Sequence, residues 1–224
     1  MTVLWQMPLN PESLRWQQTA EKLTAEKFAP LADSIDRDQR YPVEHLGPLL
    51  ESGISGMFLP KAYGGGGASL VSLVTVVEAI AAGCGSTSAI MAALSLGAFP
   101  VLLGGNEAQK QALLGGLARK GEAVNFALSE RGAGSDAAAI TTSAVREGDG
   151  WRIRGEKCWL GNGGIPSISL CLRKPAMKSA TTSVASGYRA IPKAQPSTST
   201  RTRWEFAAPR LPISRSIRGF RIPA

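Results

Sequence analysis

Two short stretches of this chain hold residue types that could bind and orient a ligand. Residues 126–136 read FALSERGAGSD and residues 157–164 read KCWLGNGG. The first sets Ser129 and Ser135 among small residues, with Gly132 and Gly134 allowing a tight turn. Such a turn can aim backbone amides and a hydroxyl at phosphate oxygens. It is not the dinucleotide fingerprint, because no strand-helix-strand unit surrounds it. In the second stretch Trp159 precedes Gly161, Asn162, Gly163 and Gly164, so its ring could form one wall of a pocket for a flat aromatic ligand. Taken singly, each stretch has a plainer reading, a chain reversal for the glycines and core packing for the tryptophan. Their occurrence together, in order, is what points to a site.

Other reactive residue types suggest less. Cys84, Cys158 and Cys171 are odd in number and widely spaced, with no CxxC pair or histidine cluster. Reduced thiols in a cytoplasmic protein are expected, with no metal site and no disulfide framework. His45 is the only histidine and is expected at the surface or at a helix cap. The run Gly64-Gly65-Gly66-Gly67 reads as a plain loop.

The elements that must position the two stretches are helical first and β-like afterwards. Apolar residues at Leu14, Leu23, Ala25, Phe28, Ala32 and Ile35 recur at helical spacing, predicting an amphipathic helix over residues 11–38 capped by Asn10. Pro42 opens a second helix through His45, Leu46, Leu49 and Leu50, ending near Gly53. Ser69 begins a third helix, apolar on all sides and therefore expected to be buried in a bundle. Further helices are predicted over residues 86–97 and 106–119, with Asn106 as a cap. The longest apolar run, residues 89–103, is read as a buried helix containing Pro100 and short of a membrane span. No signal peptide is expected at the N-terminus. After Gly121 alternation takes over, and residues 141–146 and 151–156 are predicted strands around the hairpin signal Asp149-Gly150. The fold class is therefore α+β: an antiparallel helical bundle, then part of a β-domain, with a ligand cleft expected where they join.

With these elements in place, the two motifs resemble the flavin-binding signature of the acyl-CoA dehydrogenase family. PKAYGGGGASL and the helix leading into residue 126 are similar to the family as well, so the resemblance spans about residues 33–164. It implies a flavoprotein that binds FAD, oxidises the Cα–Cβ bond of an acyl-CoA thioester and passes electrons to an electron-transfer flavoprotein, usually as a homotetramer. It implies that Phe126, Leu128 and Ser129 line the flavin ring. Gly134 and Ser135 would approach the FAD pyrophosphate, with Ser135 also touching the acyl-CoA, and Trp159, Leu160 and Gly161 would flank the other side. Three positions depart from the family pattern. Ser129 stands where threonine is usual, Arg131 where proline is usual, and Gly161 where a hydroxyl residue is common. The resemblance assigns no catalytic residue here, since the family's glutamate base lies in a C-terminal helical domain expected to be absent. Glu130 and Glu156 are expected in structural or solvated roles.

Residues 165–224 look different. They contain 11 of the 25 lysines and arginines, with Glu205 as the only acid, so they carry +10 while residues 1–164 carry −2. The division expected is a helical domain at 1–121, the start of a β-domain at 122–164, and an anomalous basic tail at 165–224, disordered or frameshifted. With suitable codons, residues 204–209 can be reread one base earlier as Met-Gly-Ile-Arg-Gly-Ala and residues 213–217 in the same frame as Leu-Ala-Leu-Asp, strings that resemble family segments. A truncated product of little activity is the resulting expectation. The alternatives are a non-enzymatic protein that binds through the basic tail, or an acyl-CoA oxidase-like fragment. Nucleic acid is not expected as a partner, because the tail lacks basic periodicity.

Overall fold

The computed structural model describes residues 8–147, 150–159, 162, 167–171 and 185–190. The chain divides into two compact units, residues 1–92 with 114–121, and residues 93–113 with 122–224.

The first unit is helical. Helix α1 (Pro11–Leu23) starts as expected, with the Asn10 carboxamide oxygen accepting from the Ser13 amide at 2.8 Å. A π-helical turn at Thr24–Phe28 links it to α2 (Ala29–Asp38), so the predicted helix runs its full length with one widened turn. Phe28 and Ile35 are buried along it. Helix α3 (Leu46–Glu51) follows a 3-10 turn at Val43–His45, and Gly53 closes it at φ 75°, a left-handed conformation that glycine adopts without strain.

The glycine run is packed against the unit's own backbone. Amides of Gly66, Gly67 and Ala68 donate to the carbonyls of Gly56, Leu59 and Met57 at 3.2, 2.8 and 2.8 Å. A Cβ at Gly65 would collide with the Leu59 carbonyl, whose carbon would lie 2.6 Å away. The plain-loop reading therefore has a physical cause: this loop lies directly on the segment that carries the fully buried Met57 and Leu59.

Helix α4 (Leu70–Ala81) begins at Ser69, whose hydroxyl accepts from the Ser72 amide at 3.1 Å. It packs on α1, where the buried hydroxyls of Ser13 and Ser72 meet at 2.8 Å. Burial is one-sided: Leu73, Val76 and Ile80 are inside, while Leu70, Val71 and Val74 are exposed. The helix is packed in the helical unit as expected, but by one face only.

Helices α5 (Gly85–Gly104) and α6 (Glu107–Lys120) contribute residues to both units. Helix α5 continues through Pro100, past the predicted end at residue 97. At 20 residues it is long and apolar enough to cross a membrane, contrary to the shorter span read from sequence, and half of its most apolar stretch is buried inside the protein, as in a core helix. Asn106 and Gln109 cap α6 reciprocally, each side chain accepting the other's amide proton at 2.9 and 3.0 Å.

His45 is not at the surface, and although it stands at the N-cap position of α3 its side chain makes no capping bond. It is buried against the Phe28 ring, with 4.6 Å between centroids, and its Nδ1 lies 2.6 Å from the Thr87 hydroxyl. The same hydroxyl lies 3.1 Å from Cys84 Sγ.

The strands belong to the second unit. Strand β1 (Ala123–Ala127) is followed by the hairpin β2 (Ser143–Glu147) and β3 (Gly150–Arg154), paired antiparallel. Strand β4 (Ser167–Cys171) runs parallel to β1, and β5 (Ala185–Ala190) pairs antiparallel with β4, in the order β1-β4-β5. The β-structure thus continues beyond residue 164, into the part set apart as an anomalous tail. Its remaining residues, the reread strings among them, lie outside the described residues. In β1, Ala123, Asn125 and Ala127 are buried on one face and Phe126 is half-buried on the other, the alternation that pleating imposes.

Candidate functional site

The chain leaving β1 passes Leu128 and Ser129 and then reverses. Glu130 and Ala133 exchange backbone bonds of 2.9 and 3.1 Å around Arg131 and Gly132. Residues 134–139 continue as an exposed loop, in which the Asp136 carboxylate accepts from the Ala138 amide at 3.2 Å. Neither Gly132 nor Gly134 takes a left-handed conformation, and a Cβ on either would meet nothing within 4 Å. The turn itself therefore permits glycine at these two positions without demanding it.

The second motif lies against the first. The Cys158 amide donates to the Ser129 carbonyl at 2.9 Å, and Lys157 Nζ donates to the Leu128 carbonyl at 2.8 Å. Lys157 also pairs with Glu130 Oε1 at 2.8 Å, and both side chains are almost wholly buried, at 2% and 7% exposure. The Glu130 carboxylate accepts four further bonds. Thr141 gives its amide and hydroxyl to Oε2, each at 2.7 Å, and Thr142 gives its amide at 2.9 Å and its hydroxyl to Oε1. Burial opposes a charge on Glu130, but the Lys157 ammonium and the Thr142 and Thr141 donors outweigh it and hold the carboxyl well below its usual range. A carboxylate so saturated has no lone pair left for abstracting a proton, which agrees with its expected structural role.

This arrangement explains why the strand limits differ from those read in sequence. Thr141 and Thr142 direct their amides to Glu130, so β2 begins at Ser143. Strand β3 ends at Arg154 because Gly155 passes so close to Thr142 that a Cβ there would lie 2.8 Å from the Thr142 Cα. Glu156 is exposed and loosely paired with Arg131 at 3.5 Å.

Trp159 is 68% exposed and sits at φ 60°. A bulky residue in the left-handed region costs ~1–3 kcal/mol and is found where the surroundings hold it there. Its backbone is held one residue away, by the bond from Cys158 to Ser129. The core-tryptophan alternative does not apply.

Of the residues singled out from sequence, Phe126, Leu128 and Ser129 lie at and just past the end of β1, Trp159 beside them, and Gly134 and Ser135 on the exposed loop that follows. Leu160 and Gly161 lie outside the described residues. Lys157, Thr141, Thr142 and Gly155 were not singled out. The signal available was the charge of Lys157 within a motif of small, apolar and aromatic residues, which requires a partner once the segment is buried. Among the described residues no group of three or more histidine, cysteine or acidic side chains could hold a metal, and Cys84 and Cys158 are free.

The model of the acyl-CoA dehydrogenase N-terminal domain matches residues 10–121, half of the chain, and that of the middle domain matches residues 125–215. The chain belongs to the acyl-CoA dehydrogenase family. Together the matches extend beyond residues 33–164 at both ends, and the second takes in much of the stretch beyond Gly164. The probable acyl-CoA dehydrogenase fadE25 of Mycobacterium leprae is 40% identical over 161 residues, which are 72% of this chain and 41% of that protein. Among solved structures, the butyryl-CoA dehydrogenase of Megasphaera elsdenii superposes with a TM-score of 0.71 at 26% identity, over 81% of this chain and 49% of that one. An acyl-CoA dehydrogenase of Bacillus anthracis complexed with FAD gives 0.65 at 29% identity, over 74% and 29%. The chain thus spans about 40% of the length of the curated relative it matches. Helices followed by few strands are the fold it shares with these acyl-CoA dehydrogenases.

Proposed function

We propose that this chain forms part of an FAD-dependent acyl-CoA dehydrogenase-like flavoprotein whose reaction is α,β-dehydrogenation of an acyl-CoA thioester. The observation that carries this reading is the bonded junction between the two motifs, with Trp159 exposed beside it. An aromatic side chain held in a strained conformation and left mostly uncovered by its own chain suits stacking on a flat ligand.

The residues fit the cofactor in three respects. Leu128 and Ser129 follow strand β1, and their carbonyls are held by Lys157 and Cys158. Trp159 supplies an aromatic face next to them. At Gly134 no neighbour among the described residues explains the missing side chain, so close approach of a pyrophosphate is a sufficient reason for glycine. In this reading Phe126, Leu128 and Ser129 line the flavin, Gly134 and Ser135 approach the pyrophosphate, Ser135 also meets the thioester ligand, and Trp159, Leu160 and Gly161 flank the ring. FAD, when bound, supplies the hydride acceptor. The chain's own residues orient the ring and exclude water from one side of it. Electron-transfer flavoprotein is the partner that the family implies.

No residue of the chain is assigned as general base. Glu130 is committed to Lys157 and the two threonines, and Glu156 faces solvent. By itself the 224-residue chain is therefore expected to bind flavin and to turn over acyl-CoA little or not at all. The free Cys84 and Cys158 suit a reducing, cytoplasmic setting. A slipped reading frame near residues 203–217 remains part of the proposal, and a gene that does not encode the two strings one base earlier removes it.

The first test is the visible absorbance of the purified chain, before and after addition of FAD. Flavin bands weakened by Ser135→Ala or Trp159→Ala support the reading. A colourless protein that takes up no added FAD overturns it for the isolated chain.

A further inference from the structure

We infer that Glu130 and Lys157 are positioning residues: together they hold the Leu128–Ser129 backbone against the Cys158–Trp159 backbone in the geometry that receives the flavin. The inference rests on the cofactor reading above and adds to it two residues that touch no ligand.

The case is geometric. Lys157 Nζ makes two bonds at 2.8 Å, one to the Glu130 carboxylate and one to the Leu128 carbonyl, two residues earlier in the chain. An ammonium that bridges a carboxylate and a carbonyl so placed fixes the path of the chain between them, and that path contains Ser129. The Ser129 carbonyl in turn accepts from the Cys158 amide, the residue before Trp159. Glu130 extends the clamp to a third segment through Thr141 and Thr142. One buried ion pair thus ties the end of β1, the entry to β2 and the exit from β3 together, where the candidate flavin residues lie.

Stability alone is a weak explanation for such a pair. Replacing a buried ion pair by uncharged groups of similar volume is often neutral or stabilising, whereas removing one partner strands a charge. This contrast separates positioning from stabilisation. Lys157→Met leaves the Glu130 carboxylate buried and unpaired, and the unit is expected to lose stability. The deciding variant is Glu130→Gln/Lys157→Met, in which no charge is stranded and the Leu128 carbonyl has lost its donor, while the carboxamide oxygen keeps one threonine's amide bond and its nitrogen gives up the other.

Three quantities are to be measured on the parent chain and the double variant: melting temperature, exchange of the Cys158 amide, and the dissociation constant for FAD. The expected result is a melting temperature above that of Lys157→Met, Cys158 exchange faster than in the parent by about tenfold, and FAD binding weaker by about tenfold, the loss that goes with one bond to a charged group. Unchanged exchange and unchanged FAD affinity overturn the proposal. A double variant that unfolds as readily as Lys157→Met also overturns it, since the pair is then a stability device. If the parent chain takes up no FAD, the cofactor reading falls by itself, and the Cys158 exchange rate alone decides whether the pair positions these segments.

Discussion

The two glycine-rich loops are alike in sequence and opposite in physics. In the loop at residues 64–67, the glycines lie on the backbone of residues 56–59, and a Cβ at Gly65 has nowhere to go. In the loop after β1, Gly132 and Gly134 face open space, although the residues before and after them are among the most tightly bonded in the second unit. The first loop needs glycine for its own packing. Among the described residues the second meets no such constraint. The difference separates a structural glycine run from a candidate binding loop better than the motifs do, because both read as GxG-like punctuation.

The largest expected effect breaks the first side of this comparison. Gly65→Ala forces the Leu59 carbonyl and the loop apart, and we expect a loss of ~2–3 kcal/mol, the range for overpacking against atoms that cannot rotate away. Denaturant unfolding of the helical unit, followed by far-UV circular dichroism, measures it. A loss under ~0.5 kcal/mol would place Gly65 in the same class as Gly134.

Acid sharpens the comparison, because each unit buries one titratable cluster of its own. For His45, burial disfavours the charged ring and lowers its pKa from 6.5. With the folded value depressed, no proton is taken up on unfolding above the unfolded value. Stability of the helical unit is then full above about pH 6.5 and falls as pH drops through that value. Glu130 is also depressed, from 4.5, but the group is an acid whose charged form is the bonded one. Its contribution is present above about pH 4.5 and is lost only below it. Lowering the pH from 8 to 5 is therefore expected to speed opening of the helical unit while the Thr141, Thr142 and Cys158 amides keep their protection. Amide exchange corrected for its intrinsic pH dependence measures both. Protection lost first around Glu130 would contradict the assigned bonds.

Much of the helical unit was legible from sequence because its signals are local. Asn10, Ser69 and Asn106 each bond an amide three residues on, so a short window contains the whole interaction. The site was legible only in part. Its contact residues lie inside two motifs that can be compared with a family, whereas the clamp joins Glu130 to Lys157 across 27 positions and to Thr142 across 12. Nothing in the local pattern of either segment states that pairing. His45 illustrates the same limit. Its burial depends on Thr87, 42 positions away, and no periodicity around residue 45 announces it. The one-sided exposure of α4 was missed for another reason: a helix with apolar residues on nearly every side carries little pattern that says which face is covered.

The smallest expected change in stability falls on the open loop, and it is the most informative about function. Gly134→Ala adds a methyl group to a backbone that is not left-handed and meets no atom within 4 Å. Its effect on stability is expected to stay within about 0.5 kcal/mol, as at an unconstrained surface site. If the loop receives a pyrophosphate through its backbone, the same methyl group occupies the approach path, and FAD affinity falls while the melting curve does not move. Paired titrations of the parent and Gly134→Ala with FAD, alongside thermal melts without it, separate the two effects. Equal affinities would mean that this glycine serves neither the fold nor the cofactor, and the second loop would lose the feature that now sets it apart from the first.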